Sequence, residues 1–235
     1  MDFDAVILAG GRSSRLGGVP KARLKYDGDS LLAHALAVAY GTGSAHAART
    51  VVVVGPDPGT LPEGTLTARE EPAFAGPAAA IEAGLAALDA EARLKDIRHG
   101  RPLPRPQWVL VLACDMPHAG AAVQVLFAAF EEGAGSTGGV ADAPHGITGE
   151  AGREIEGVMA VSADGRKQPL LGVYNSAALR REVAAAAEAG GLANASVFGL
   201  VARLDLLAVP VPPGSTDDVD TWEDAAALGV DGDLP

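Results

Sequence analysis

The 235-residue chain has a single cysteine, Cys114, which excludes an intrachain disulfide and any multi-cysteine metal site. Aromatic residues make up only 4% of it, too few to suggest stacking platforms for single-stranded nucleic acid. Cations are also scarce: 18 Lys and Arg face 30 Asp and Glu, for a net charge of -12. The broad basic face that grips a nucleic-acid backbone is therefore missing. No apolar run is long enough to span a bilayer, and MDFDAVILAGG puts acids where a signal peptide needs cations. These absences predict a cytoplasmic protein without a nucleic-acid or membrane partner. No G-x-S-x-G elbow occurs, and the five histidines show no H-x-x-x-H spacing.

Hydrophobic content of 48% and charged content of 20% are ordinary for a protein with a full core. Short runs apolar on both faces, at 5–9, 51–54 and 109–113, predict buried parallel strands. A short strand is predicted at 65–69, and later ones at 158–161, 170–174 and 207–211. Ser30 caps a predicted helix over 31–40. Gly76-Pro77 opens another, with Ile81, Leu85, Leu88 and Ala92 on one stripe. Further helices are predicted over 120–132, 177–189 and 197–204, and a closing one behind Thr221. Loops are predicted at about 94–107, basic and proline-rich, and at 133–157, rich in glycine and acids. Strands alternating with helices mean an α/β protein: a mostly parallel sheet covered on both faces, with a late antiparallel excursion. In such sheets ligands bind outside the carboxyl ends of the strands. Gly10-Gly11 and Cys114-Asp115 both fall at such ends.

Most distinctive is the segment 8–28, LAGGRSSRLGGVPKARLKYDG, with five glycines, five cations and no acid before Asp27. It lacks both G-x-G-x-x-G and G-K-[ST], so it is neither the dinucleotide fingerprint nor a P-loop. What remains is a buried strand, glycines whose N–H groups can face an anion, and Arg12, Arg15, Lys21, Arg23 and Lys25. That pattern points to a phosphate-rich ligand rather than to a flexible turn with solvated cations. Asp115 at a strand end suits a Mg²⁺ that bridges phosphates, and it suits equally an N-cap for a helix opened by Pro117. Spacing leaves both readings standing. Cys114 reads as a small buried residue, and His118 as a solvated loop residue near the site.

The segment Leu8-Ala9-Gly10-Gly11-Arg12-Ser13-Ser14-Arg15-Leu16-Gly17, followed by Lys21, resembles the signature of nucleotidyltransferases related to molybdenum cofactor guanylyltransferase. That signature reads L-A-G-G-x-S-x-R-M-G, a short gap and K; Leu16 stands for its methionine. The resemblance continues in order through Glu70-Glu71-Pro72 with Gly76-Pro77, Leu112-Ala113-Cys114-Asp115-Met116-Pro117, Gln168-Pro169-Leu170 with Tyr174, and Asp218-Val219-Asp220-Thr221. It spans nearly the whole chain apart from the two loops.

The resemblance implies a Rossmann-like three-layer αβα nucleotidyltransferase fold in a single domain over 1–235. It implies Mg²⁺-dependent transfer of GMP from GTP to the terminal phosphate of molybdenum-bearing molybdopterin, with release of pyrophosphate. Arg15, Lys21 and Asp115 would be catalytic. Leu8, Ala9, Gly10, Gly11, Arg15, Lys21, Glu70, Gly76, Pro77 and Asp115 would bind the nucleotide. Asp115 would hold the metal, and Asp220 would be a second ligand or a contact to the second substrate. Related guanylyltransferases usually carry Asn at Asp220, and their Asn after the second strand is here Gly55. Gly11, where cytidylyl relatives commonly have Ala, would leave room for a purine. Partners would be GTP and molybdopterin, and molybdoenzymes or other cofactor-synthesis proteins. Two alternatives stay open. One is a sister enzyme using CTP or acting on a sugar phosphate or another cofactor precursor. The other is a non-catalytic nucleotide-binding module that delivers cofactor.

Overall fold

The computed structural model describes residues 1–42, 45–56, 59–135, 147–148 and 154–232. The chain runs β1 (Phe3–Leu8), β2 (Lys25–Tyr26), β3 (Asp29–Ser30), α1 (Leu31–Ala39), β4 (Val51–Val54), β5 (Leu66–Ala68), α2 (Pro77–His99), β6 (Trp108–Ala113) and α3 (Ala119–Gly135). It continues β7 (Ile147–Thr148), β8 (Glu154–Ile155), β9 (Gly157–Val161), β10 (Lys167–Asn175), α4 (Ser176–Ala189), α5 (Val197–Val201), β11 (Leu206–Pro210), α6 (Trp222–Ala227) and β12 (Val230–Asp231).

Seven strands form the central sheet in the order β11-β9-β10-β6-β1-β4-β5. Only β10 runs against the other six, so the antiparallel excursion is one strand wide. Period-2 alternation splits the apolar strands between two cores. Phe3, Ala5, Ile7, Leu110 and Leu112 face α1 and α3. Val6, Leu8, Val109 and Val111 face α2, α4 and α5. Both faces of β1, β4 and β6 are buried, which is why their sequences read as unbroken apolar runs. Three layers result, as the resemblance implied.

Local chemistry sets the helix ends. The Ser30 Oγ accepts from the Ala33 N–H at 3.1 Å, and the Asn175 side chain caps α4 in the same way. Thr221 and Asp224 make a capping box on α6. Gly84 lets α2 lie close on the sheet: a Cβ there would come within 2.5 Å of Val6 Cγ1.

The structure corrects several boundaries. The expected loop at 94–107 begins only at Gly100, because α2 continues to His99. Its last turns leave Leu94 and Ile97 exposed and are held by Glu91 pairing with Lys95 and Arg98, with Gly100 as a left-handed stop. Of the loop expected at 133–157, α3 takes the start. β8, paired with β7, and the first residue of β9 take the end. Residues 136–146 and 149–153 of it lie outside the described residues. α5 stops at Val201, short of the expected 204. β11 is not the last strand: β12 pairs with β2, and β2 with β3, in a second small sheet. Leu16, Leu24, Leu31, Val219, Ala225 and Val230 pack beneath that sheet as a third core. No described helix is long and apolar enough to cross a membrane.

Candidate active site

The carboxyl ends of β1, β4 and β6 meet at one edge of the sheet. Two hydrogen bonds fix the exit of β1 between its neighbours: Ala9 N–H to the Val54 carbonyl at 2.8 Å, and Cys114 N–H to the Leu8 carbonyl at 3.0 Å. The chain then enters the glycine loop. Ser13 is left-handed (φ 44°), and its carbonyl accepts from both Leu16 and Gly18 N–H. Leu16, fully buried in the third core, anchors a 3₁₀ turn over Ser14–Leu16. A second such turn, Lys21–Arg23, aims Lys21 back across the sheet edge.

The Lys21 Nζ donates to Asp115 Oδ2 at 2.7 Å and to Asp220 Oδ1 at 2.5 Å. Burial opposes its charge, but the Asp115 and Asp220 carboxylates outweigh that and hold the ammonium up at about 12. Asp218 joins them, and the three carboxylates offer oxygens within 4.8 Å of one another. Asp218, although its side chain reaches solvent, is raised from its ordinary value by partial desolvation, then by the like charges of Asp115 and Asp220. Three crowded carboxylates and one ammonium leave negative charge unbalanced. An all-oxygen donor set of this kind fits a hard divalent cation. Val219 ties the group together: its N–H donates to the Asp115 carbonyl at 3.0 Å, and its side chain is fully buried.

Two clefts share Gly10 and Lys21 as a common wall. The smaller, about 280 Å³, is lined by Ala9 to Ser13, Gly18, Pro20, Pro56 and Phe74. The larger, about 450 Å³, is lined by Leu8, Pro77, Ala113 to Met116, Gln168 to Leu170, Ala195 to Phe198, Thr216 and Asp218. Its far wall is set by a bulge in β10, where the buried Tyr174 hydroxyl donates to the Pro169 carbonyl at 2.7 Å.

The sequence-predicted residues divide accordingly. Lys21, Asp115 and Asp220 come together. Arg15 is exposed, lines neither cleft and reaches Asp220 at 3.4 Å. Ala9, Gly10 and Gly11 line the smaller cleft, while Leu8 and Pro77 line the larger. Gly76 lines neither and serves as the positive-φ (97°) entry to α2. A Cβ at Gly11 would meet nothing within 4 Å, though φ +139° disfavours one. Gly55 packs against the loop so closely that a Cβ would lie 2.8 Å from the Ala9 carbonyl carbon, so an Asn there would require the backbone to shift.

Glu70 is buried. Its Oε1 accepts from Phe74 N–H at 3.1 Å, and its Oε2 is buried without a partner. Cys114 is buried, and burial pushes its thiol far up. His118 is half-buried and hydrogen-bonds the Tyr26 hydroxyl at 3.0 Å, rather than lying solvated. Sequence reasoning assigned no role to Asp218, Arg69 or Phe74. Only Asp218 carried a signal, its i, i+2 spacing from Asp220.

A family model described as MobA-like NTP transferase domain matches residues 5–202. The fold is similar to molybdopterin-guanine dinucleotide biosynthesis protein A from Archaeoglobus fulgidus (17% identity, 96% of each chain, TM-score 0.57). It is also similar to Rv0371c from Mycobacterium tuberculosis (22% identity, 97% of this chain and 98% of that one, TM-score 0.60). A third likeness is to 2-C-methyl-D-erythritol 4-phosphate cytidylyltransferase from Thermus thermophilus (19% identity, 97% of each chain, TM-score 0.55). At these identities the likenesses speak for the fold. No curated protein sequence matches the chain. With the glycine loop, Lys21 and the carboxylates at one sheet edge, and a family model over most of its length, the chain belongs to the MobA-like NTP transferase domain family and is a nucleotidyltransferase.

Proposed function

We propose that the enzyme transfers GMP from GTP to the terminal phosphate of molybdenum-bearing molybdopterin, in a Mg²⁺-dependent reaction that releases pyrophosphate. The observation that carries this reading is the shared wall between the clefts. A nucleotide in the smaller cleft and an acceptor in the larger would meet at Lys21, beside Asp115, Asp218 and Asp220.

The reaction brings two anions in line at the α-phosphorus, so positioning and charge neutralisation dominate it. Asp115 and Asp220, with Asp218, would hold Mg²⁺, which when bound supplies Lewis acidity to the phosphate oxygens. The backbone of Gly10 and Gly11 faces the triphosphate, and Lys21 and Arg15 balance its charge as it passes to pyrophosphate. The acceptor phosphate is already anionic, so no general base is needed. That agrees with an inert Cys114 and with a His118 engaged by Tyr26.

Thermal shift with GTP, CTP, ATP and UTP plus Mg²⁺, followed by pyrophosphate release with molybdopterin, tests the reading. GTP-selective stabilisation with release supports it. Selectivity for CTP replaces it with a sister activity, and stabilisation without release replaces it with a binding module.

A further inference from the structure

Phe74 is an unusual residue. It is 41% exposed, and its backbone is left-handed at φ 63°. A bulky side chain in that region is strained, and such strain persists only where the surroundings impose it. Here two hydrogen bonds impose it: Phe74 N–H to Glu70 Oε1, and Ala75 N–H to the Pro72 carbonyl at 3.1 Å. The first comes at a cost, because it fixes a buried carboxylate whose other oxygen has no partner. The fold thus presents an aromatic ring to solvent at the expense of strain and of an unsatisfied acid. The ring lines the smaller cleft together with Gly10, Gly11 and Lys21.

Two guanidinium groups flank it. Arg12 lies 5.9 Å and Arg69 6.0 Å from the ring centroid, within cation–π range. Both side chains are exposed, and among the described residues neither pairs with an acid. An exposed ring with two guanidinium groups over it, one of them, Arg12, on the wall of the same small cleft as the phosphate loop, makes a surface for a flat ligand with acceptor atoms and an anionic tail. A nucleotide base has that form: every base offers a π face, and stacking tolerates its identity.

We propose that Phe74 is the shelf on which the nucleotide base stacks, with Arg12 and Arg69 lying against the same stack. This rests on the nucleotidyl-transfer reading and adds to it a base-binding residue. Stacking grows with ring area, so a purine gains more from the shelf than a pyrimidine. Glu70 is the positioning residue that holds the shelf in its left-handed turn.

The test uses the full chain with Mg²⁺ and two probes, GTP and inorganic tripolyphosphate, titrated by calorimetry into wild type, Phe74→Ala and Phe74→Tyr. The expected result is a loss of about tenfold or more in GTP affinity for Phe74→Ala. Tripolyphosphate affinity should stay unchanged, and Phe74→Tyr should bind GTP as wild type does. Unchanged GTP affinity in Phe74→Ala overturns the shelf. So does an equal fall for both probes, which would mean that the variant disturbs the phosphate loop. Wild type that binds no nucleoside triphosphate overturns the nucleotidyl-transfer reading itself, and the shelf with it.

Discussion

The two ends of the central sheet treat charge in opposite ways. At the amino ends of the parallel strands a cleft of about 550 Å³ is lined by Arg49, Lys95, Arg105 and Arg180. Each of these cations is paired with an acid: Asp2 for Arg49, Glu91 (shared with Arg98) for Lys95, Asp96 for Arg105 and Asp89 for Arg180. At the carboxyl ends three carboxylates crowd round Lys21, while Arg12 and Arg69 pair with no acid among the described residues. The amino-end cleft is larger than either cleft at the carboxyl end, and its cations are already paired within the chain, although Asp4 in its lining keeps one buried oxygen without a partner among the described residues. The carboxyl end is left unsettled in both signs, acid around Lys21 and base around Phe74. A ligand bringing both a polyanion and a dication would settle it. Size therefore misleads here, and unbalanced charge is the better guide to function.

That contrast can be broken at specific points. Asp115→Asn should lower pyrophosphate release by at least about a hundredfold while the melting temperature stays near that of wild type. Near-normal turnover would remove Asp115 from the metal site.

Lys21→Ala should weaken GTP binding by about tenfold or more in calorimetry, and should raise the affinity of the free enzyme for Mg²⁺, because the ammonium no longer sits among the carboxylates. It should also flatten the alkaline limb of stability. In wild type the Lys21 pairs contribute fully below its ordinary pKa of 10.5 and are lost as pH rises through about 12. The variant has no such loss to show in urea melts across that window.

Gly55→Asn forces a Cβ against Ala9. A stability loss of about 1–3 kcal/mol is expected, with weaker nucleotide binding as the loop shifts. At the other end of the sheet, Arg180→Ala should cost under about 1 kcal/mol, since that pair is part-exposed and screened. Turnover should not change. If Arg180→Ala impaired catalysis as Lys21→Ala does, the contrast between the ends would fail.

The parts of the molecule legible in its amino acids are those with local causes. β1, β4 and β6 declare themselves because both faces are buried, and Ser30, Gly76-Pro77 and Thr221 mark helix starts by their own side chains or ring. Asp115 stands out by type and by position at a strand end, Lys21 by its place in the cation-rich glycine segment, and the family pattern added Asp220. β2, β3 and β12 stayed hidden because two-residue strands carry no period; they exist through the core of Leu16, Leu24, Val219 and Val230. The end of α2 was misread because its stability comes from ion pairs on Glu91 rather than from an apolar stripe. Phe74 and Arg69 could not be read at all. Their meaning depends on the end of β5 lying beside the glycine loop, and that adjacency is set by sheet order.

Lys21 and Asp220 touch across 199 residues of sequence. At about 5–20 residues per second, a ribosome needs roughly ten to forty seconds to make the second after the first. Until then Lys21 lacks its Asp220 partner, although the residues that line the smaller cleft have already been made. A nucleotide held at both Lys21 and Asp220 would bridge the earliest and latest parts of the domain like a seal across a closed lid. Resistance of residues 210–232 to protease in the presence of GTP would then report that the whole chain has folded, not merely that the pocket is filled.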